Sequence, residues 1–282
     1  MRLFILASIL MLAASPSSAM DANGGANQES FTFGIVPQQS ASKLAKLWGP
    51  VLRRLGQDAG MELKFHTAPN IPEFERRVAA GDYDFAYVNP YHYVVFSRAP
   101  GYRAFARAKD KRIKGILVVR KDSPIQSPRE LGGETLAFPA PAAFAASMLP
   151  RAFLAREGIS FTPKYVSSHD SVYRTVAKGL YPAGGGVLRT FNSVESEVRD
   201  QLRVLWTTEG YTPHAFSAHP RIPADAVERL TGAMKEMHAD EEGRALLTTL
   251  SMTGFEGAQD SDWNDVRGLD LHLLDELIDS PQ

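Results

Sequence analysis

The chain has no cysteine among its 282 residues, which excludes disulfides, thiolate metal sites and cysteine nucleophiles together. It also lacks an excess of either charge, because 31 Lys and Arg face 32 Asp and Glu for a formal net charge of -1. Bulk charge therefore favours neither nucleic acid nor an acidic membrane surface, and no nucleic-acid partner is expected. The 7 histidines include no H-x-x-x-H or H-E-x-x-H pair, so no metal site and no cofactor is expected. Gly184-Gly185-Gly186 is not followed by Gly-Lys-Ser/Thr and is not a nucleotide P-loop; bare backbone there suits close packing. No G-x-S-x-G elbow is present either. Beyond the amino terminus no run reaches about 18 uninterrupted apolar residues, the length a spanning helix needs, so the mature protein is not expected to be embedded in a membrane.

What is present is ordinary globular usage, 44% hydrophobic and 22% charged, enough for one or two domains. The first 19 residues read as a cleaved secretory signal: Arg2, an apolar run over 3–14, then Ser15-Pro16-Ser17-Ser18-Ala19 with small residues at the cleavage positions. Residues 20–29 read as a flexible leader, and the expected compartment is the periplasm.

The stretch 81–95, GDYDFAYVNPYHYVV, organises the reading. Its apolar and aromatic run 83–88 lies between turn residues, the pattern of a strand buried on both faces. Asn89 then caps a helix with Pro90 in its first turn. Strand, turn and helix start leave backbone N–H groups at the carboxyl end of a strand, where open α/β sheets bind small anions. Tyr91, His92 and Tyr93 crowd this corner, as ligand contacts or as core rings.

Strands and helices alternate throughout. Residues 31–36 form a first strand, and Ser40 or Ser42 caps a helix whose Leu44, Leu47, Trp48, Val51, Leu52 and Leu55 share one face. Pro50 marks a place for a kink or break in that helix. An alternating strand at 61–65, a helix from Asn70 and the 83–88 strand complete a βαβαβ unit, which implies a parallel sheet. Strands are expected at 102–106, 115–119 and 135–138, then an Ala-rich helix over 142–156. Further strand-turn-helix units begin at Ser167-Ser168-His169-Asp170 and at Arg189-Thr190. Past Tyr211-Thr212-Pro213-His214 the chain reads as helices at 224–239, 242–252 and 262–278. Ser168, His169 and Asp170 carry the atoms of a hydrolase triad, the remote alternative, but adjacent residues on one turn do not align as nucleophile, base and orienter. No enzyme is expected.

The order of these elements, with Phe33-Gly34-Ile35-Val36-Pro37, Gly81-Asp82-Tyr83-Asp84-Phe85-Ala86, Asn89-Pro90-Tyr91, Leu136-Ala137-Phe138, Ser168-His169-Asp170 and Val176-Ala177-Lys178-Gly179, resembles the periplasmic substrate-binding proteins of phosphate, phosphite and phosphonate ABC transporters. The resemblance spans roughly 31–278. It implies an α/β, two-lobed periplasmic binding protein fold, type II-like, each lobe a mostly parallel sheet flanked by helices and joined by two crossing strands. Lobe one is then 30–114 plus 209–282 and lobe two 115–208, with hinges near 113–118 and 205–211. It implies a monomer that holds a small anionic ligand between the lobes and presents it to the membrane permease of an ABC importer; the same fold also serves sensor kinases.

Matched to the family pattern are Tyr91 and His169. Nearby donors Gln38, Ser40, Asn89, Tyr93, Ser168 and Arg189 complete the candidate set, with Ala142 and Ala143 in the turn that grips phosphonate oxygens in the family. That family turn is rich in Ser and Thr, whereas here it reads Ala140-Pro141-Ala142-Ala143-Phe144. Gln38 stands where the family often has an aromatic residue, and Pro182 where an acidic residue often meets an ammonium group. The guanidinium of Arg189 is a bidentate substitute for the missing hydroxyls, or else part of a surface ion pair. Phe144 and the alanines also suit the floor of an apolar pocket for a larger or more apolar ligand.

Overall fold

A computed structural model describes residues 29–279; the expected signal and most of the leader lie outside the described residues. Among the described residues eleven strands form two mixed sheets. The first holds β1 (Ser30–Ile35), β2 (Glu62–His66), β3 (Phe85–Val88), β4 (Arg103–Ala108), β10 (Ala215–Ala218) and β11 (Phe255–Gly257), in the order β11-β4-β10-β3-β1-β2. The second holds β5 (Gly115–Arg120), β6 (Thr135–Phe138), β7 (Thr162–Tyr165), β8 (Ala183–Val187) and β9 (Leu202–Thr207), in the order β7-β6-β8-β5-β9. Parallel pairing of β1 with β2 and β3, and of β6 with β7 and β8, aims the carboxyl ends of both sets at the space between the lobes. The chain crosses between sheets at 109–114 and 208–214. There Ile113 and Tyr211 exchange both backbone hydrogen bonds, at 2.8 and 3.0 Å, which ties the crossings together.

In the first lobe all four residues of β3 are buried, as the apolar run required. The strand starts at Phe85 rather than Tyr83 because Asp84 turns to accept bonds from the Thr32 N–H and hydroxyl. Helix α1 (Ala41–Ala59) runs unbroken past Pro50. Leu44, Trp48, Val51, Leu52 and Leu55 are buried on its inner face, and at roughly 1.5–3 kcal/mol each they outweigh the roughly 3 kcal/mol that an interior proline costs. Helix α2 (Ile71–Ala79) is capped by Asn70 and α3 (Pro90–Phe96) by Asn89, whose Oδ1 accepts from the His92 N–H at 2.8 Å.

The second lobe departs from expectation at its Ala-rich segment. The stretch 142–156 is not one α-helix: a π-helical turn spans Phe144–Met148, and α4 (Leu149–Arg156) follows it. Pro150 has no N–H to give the Ala146 carbonyl, which breaks the i-to-i−4 ladder at this junction. Freed from that ladder, the Ala145 and Ala146 carbonyls press against the sheet, where a Cβ on Gly115 or Gly185 would lie 2.0 Å from the Ala145 or Ala146 oxygen. The triple glycine is thus a contact surface, with Val172 and Tyr173 against its outer two members. Helices α5 (His169–Ala177), α6 (Leu188–Asn192) and α7 (Ser196–Arg199) complete this lobe.

After β10 the chain forms α8 (Ala224–Glu236) and α9 (Glu241–Thr249), both packed on α1. The long helix expected over 262–278 is instead a 3-10 turn at Asp260–Trp263, α10 (Asn264–Arg267) and α11 (Asp275–Asp279). Gly268 and Asp270, the latter at φ 50°, turn the chain between the two helices. The three-residue β11 escaped the sequence reading because it is too short to show alternation.

The close approach of the π-turn sets a stability test. Gly185→Ala places a methyl group on backbone that cannot yield, so chemical denaturation should show a loss of about 3 kcal/mol, whereas Gly133→Ala on open surface loses less despite its positive φ.

Candidate functional site

The carboxyl ends of both parallel strand sets meet between the lobes, and the residues there bond across the gap. The His169 N–H, in the first turn of α5, donates to the Gln38 carbonyl at 3.1 Å. The Arg189 guanidinium donates to Gln38 Oε1. Asn89 caps α3 with its oxygen and uses Nδ2 to reach the Ala142 carbonyl at 3.2 Å. At the rim Gln39 Nε2 meets Ser193 Oγ at 3.3 Å, and Lys43 donates to the Ser193 carbonyl at 2.9 Å while facing Asp170 at 3.6 Å. Every one of these contacts joins the first sheet's loops to the second's, so the arrangement is that of closed lobes. Ala142, Ala143 and Phe144 belong to the same buried apolar cluster as Val36, Tyr87 and Val88.

Two cavities lie in the closed interface. The inner one is only ≈ 10 Å³ and is lined by Gln38, Asn89, Ala143, Phe144, His169 and His214, among others; that is space for about one water. The outer one, ≈ 240 Å³, is lined by Tyr87, Lys111, Lys114, Arg189, Asn192 and His214 with apolar Leu188, Pro213 and Met252. Ile113, Val187 and His214 form the wall between them.

Of the expected residues the structure brings Gln38, Asn89, Ala142, Ala143, His169 and Arg189 together. Four others it employs elsewhere. Tyr91 is buried with its hydroxyl accepting from the Leu274 N–H at 3.0 Å, and the Tyr93 hydroxyl donates to Asp260 at 2.8 Å. Both phenols therefore bond within the first lobe's own packing. Ser40 is exposed and caps α1 by accepting from the Lys43 N–H, and Ser168 caps α5 by accepting from Ser171 at 3.1 Å. With Ser168 Oγ on Ser171 and His169 Nδ1 on Thr190 at 3.1 Å, the two do not pair as nucleophile and base.

The sequence reading missed Tyr87, Thr190 and His214. Thr190 Oγ1 donates to the Val187 carbonyl and links His169 to Tyr173. His214 is 4% exposed, stacks on Tyr87 at 4.9 Å and has no partner for Nε2. A signal existed for it: His214 immediately precedes β10, and antiparallel pairing of β10 with β3 starts that strand at the cleft. Recognising it required knowing the strand's direction.

Burial sets the charge state of the titratable groups here. Burial, reinforced by the Arg189 charge, pushes His169 down to about 3. The same causes hold His214 well below its ordinary value, so both are neutral imidazoles at neutral pH. Burial pushes the Asp170 carboxyl up, against the pull of Lys43.

The sequence match completes the assignment. Residues 33–263 fit the profile of the family described as ABC transporter, phosphonate, periplasmic substrate-binding protein. The chain belongs to that family. A curated relative, the phosphate-import protein PhnD of Mycolicibacterium smegmatis, is 22% identical over 79% of this chain and 78% of its own. Among solved structures, the binding component of an ABC phosphonate transporter from Pseudomonas aeruginosa superposes with a TM-score of 0.80 at 18% identity, covering 86% of each chain. PhnD1 of Prochlorococcus marinus in complex with methylphosphonate superposes at 0.78 and 17% identity, over 86% of this chain and 97% of that one. These similarities establish the two-lobed fold of a periplasmic binding protein. No helix among the described residues is long and apolar enough to cross a membrane.

A neutral buried histidine leaves a signature in the acid limb of stability. Unfolded His169 takes a proton below about 6.5, whereas folded His169 resists until about 3, so its contribution is complete above 6.5 and falls as pH drops from there towards 3. At about pH 5 the loss from this group is about 2 kcal/mol. Urea unfolding at neutral pH and at pH 5 should show His169→Gln losing less on acidification than the parent chain; an equal loss in both contradicts the assignment.

Proposed function

We propose that this protein captures a phosphorus oxyanion between its lobes in the periplasm and delivers it to the membrane permease of an ABC importer. On this reading the lobes are 30–114 plus 209–282 and 115–208, and they rotate about the paired crossings at Ile113 and Tyr211. The observation that carries it is the gathering of Lys111, Lys114, Arg189 and His214 on one interlobe cavity that no carboxylate lines. An oxyanion leaves water only where fixed donors replace its hydration shell, and here the donors come from both lobes. Binding energy is therefore released only on closure, which couples ligand to conformation. The family membership supports the ligand class, and the export signal read at 1–19 supports the compartment.

The test is a thermal-shift screen of the mature chain from Met20 with phosphate, phosphite, methylphosphonate, sulfate and apolar carboxylates. A ligand at about a hundred times its Kd adds about 2.7 kcal/mol, so at least one phosphorus oxyanion should raise the melting temperature clearly. Arg189→Ala should weaken that binding by about 2 kcal/mol, roughly thirty-fold. No shift with any phosphorus anion, alongside a shift with an apolar carboxylate, overturns the reading.

A further inference from the structure

We propose that the ligand of this protein sits in the outer interlobe cavity, against Lys111, Lys114, Arg189 and His214, and is a phosphonate or phosphate monoester with an uncharged organic substituent. This rests on the oxyanion reading above and specifies where that anion binds and what it carries.

The inner cavity is closed to such a ligand by its own walls. At ≈ 10 Å³ it holds about one water. Ala143, Phe144, Ala145 and Ala146 line it without a side-chain donor, and the Ala142 carbonyl beside it accepts from Asn89. Gln38, its polar wall, already receives bonds from the Arg189 guanidinium and the His169 N–H.

The outer cavity has the opposite character. Its ≈ 240 Å³ is lined by four cationic side chains, Lys111, Arg112, Lys114 and Arg189, and by no Asp or Glu. Arg112 is committed to Asp265 at 2.9 Å, whereas Lys111, Lys114 and Arg189 have no carboxylate within ion-pair distance among the described residues. The deeply buried His214 also lines this cavity, and its Nε2 has no hydrogen-bond partner. A cation cluster without counter-charges, joined to a buried polar atom without a partner, is arranged for an anion that supplies both.

The rest of the lining sets the substituent. Ala108, Ile113, Val187, Leu188, Pro213 and Met252 give the cavity a mostly apolar wall, which a bare phosphate does not cover and an alkyl or aryl group does. The missing carboxylates decide against a zwitterion: an ammonium group here would sit among cations with no carboxylate in the lining to pair it. The chain thus separates neutral-bodied phosphonates from aminophosphonates by charge repulsion as well as by lost contact.

Calorimetry on the mature chain from Met20 tests this with phenylphosphonate, methylphosphonate and 2-aminoethylphosphonate as probes. Phenylphosphonate should bind at least ten-fold tighter than methylphosphonate, and 2-aminoethylphosphonate at least a hundred-fold weaker than phenylphosphonate. Leu188→Trp, a change at a half-exposed wall of the outer cavity, should weaken phenylphosphonate at least ten-fold, while Glu197→Gln on the exposed face of α7 leaves it within about two-fold. Tight methylphosphonate with phenylphosphonate excluded, or equal affinity for 2-aminoethylphosphonate, overturns the placement and leaves the oxyanion reading standing. Absence of binding by all three, in protein whose melting curve shows it folded, overturns the oxyanion reading and this inference with it.

Discussion

An anion gives up its hydration shell only where a set of fixed donors and cations takes its place, and the interlobe space of this protein is built around that requirement. Neither lobe carries the set alone. On the proposed reading Lys111, Lys114 and His214 come from the two crossings and Arg189 from a strand end of the second sheet. Closing the lobes then brings Arg189 to the other three and assembles the site. The polar contacts across the closed interface are modest, a few hydrogen bonds at 2.9–3.3 Å and one 3.6 Å ion pair, each worth about 1 kcal/mol or less, and the buried apolar contact of Ala142, Ala143 and Phe144 with the first lobe adds to them. A ligand that bonds to groups of both lobes shifts the balance by its differential affinity for the closed state.

The backbone of the second lobe fixes how deep the ligand can go. Bare glycines at 115 and 185 let the Ala145 and Ala146 carbonyls settle on the sheet, and the π-helical turn at Phe144–Met148 holds them there. That placement leaves the alanine turn flush against the first lobe's core and reduces the inner cavity to the size of a water. The cost of burying polar groups then governs what remains. His169 and His214 stay neutral because burial penalises the charged imidazole, and the Arg189 charge adds to that penalty.

Much of this was legible in the residues. The apolar run before Asn89-Pro90 gave β3 and the cap of α3, since a strand buried on both faces and an Asn-Pro helix start are local signals. Gln38, His169 and Arg189 were found because each follows a strand that a parallel sheet must aim one way. Tyr91 and Tyr93 misled because a helix presents adjacent residues to different sides, and only tertiary packing decides which side is the cleft; their hydroxyls went to Leu274 and Asp260, more than a hundred and sixty positions away. His214 was missed for the complementary reason, since the strand it precedes runs against its neighbours. The π-turn depended on glycine contacts from other strands, which no local pattern records.

Closure driven by a phosphorus anion is the claim on which the rest stands. The chain's lack of cysteine permits a direct measurement with Ala45→Cys and Glu197→Cys, exposed positions on α1 and α7 in opposite lobes. Spin labels there report the interlobe distance by pulsed electron resonance. With methylphosphonate added to a concentration at which calorimetry shows the site filled, the distribution should narrow onto its short-distance component. An unchanged distribution with the site filled would contradict the account, because the donors of the two lobes would then not be meeting on the ligand.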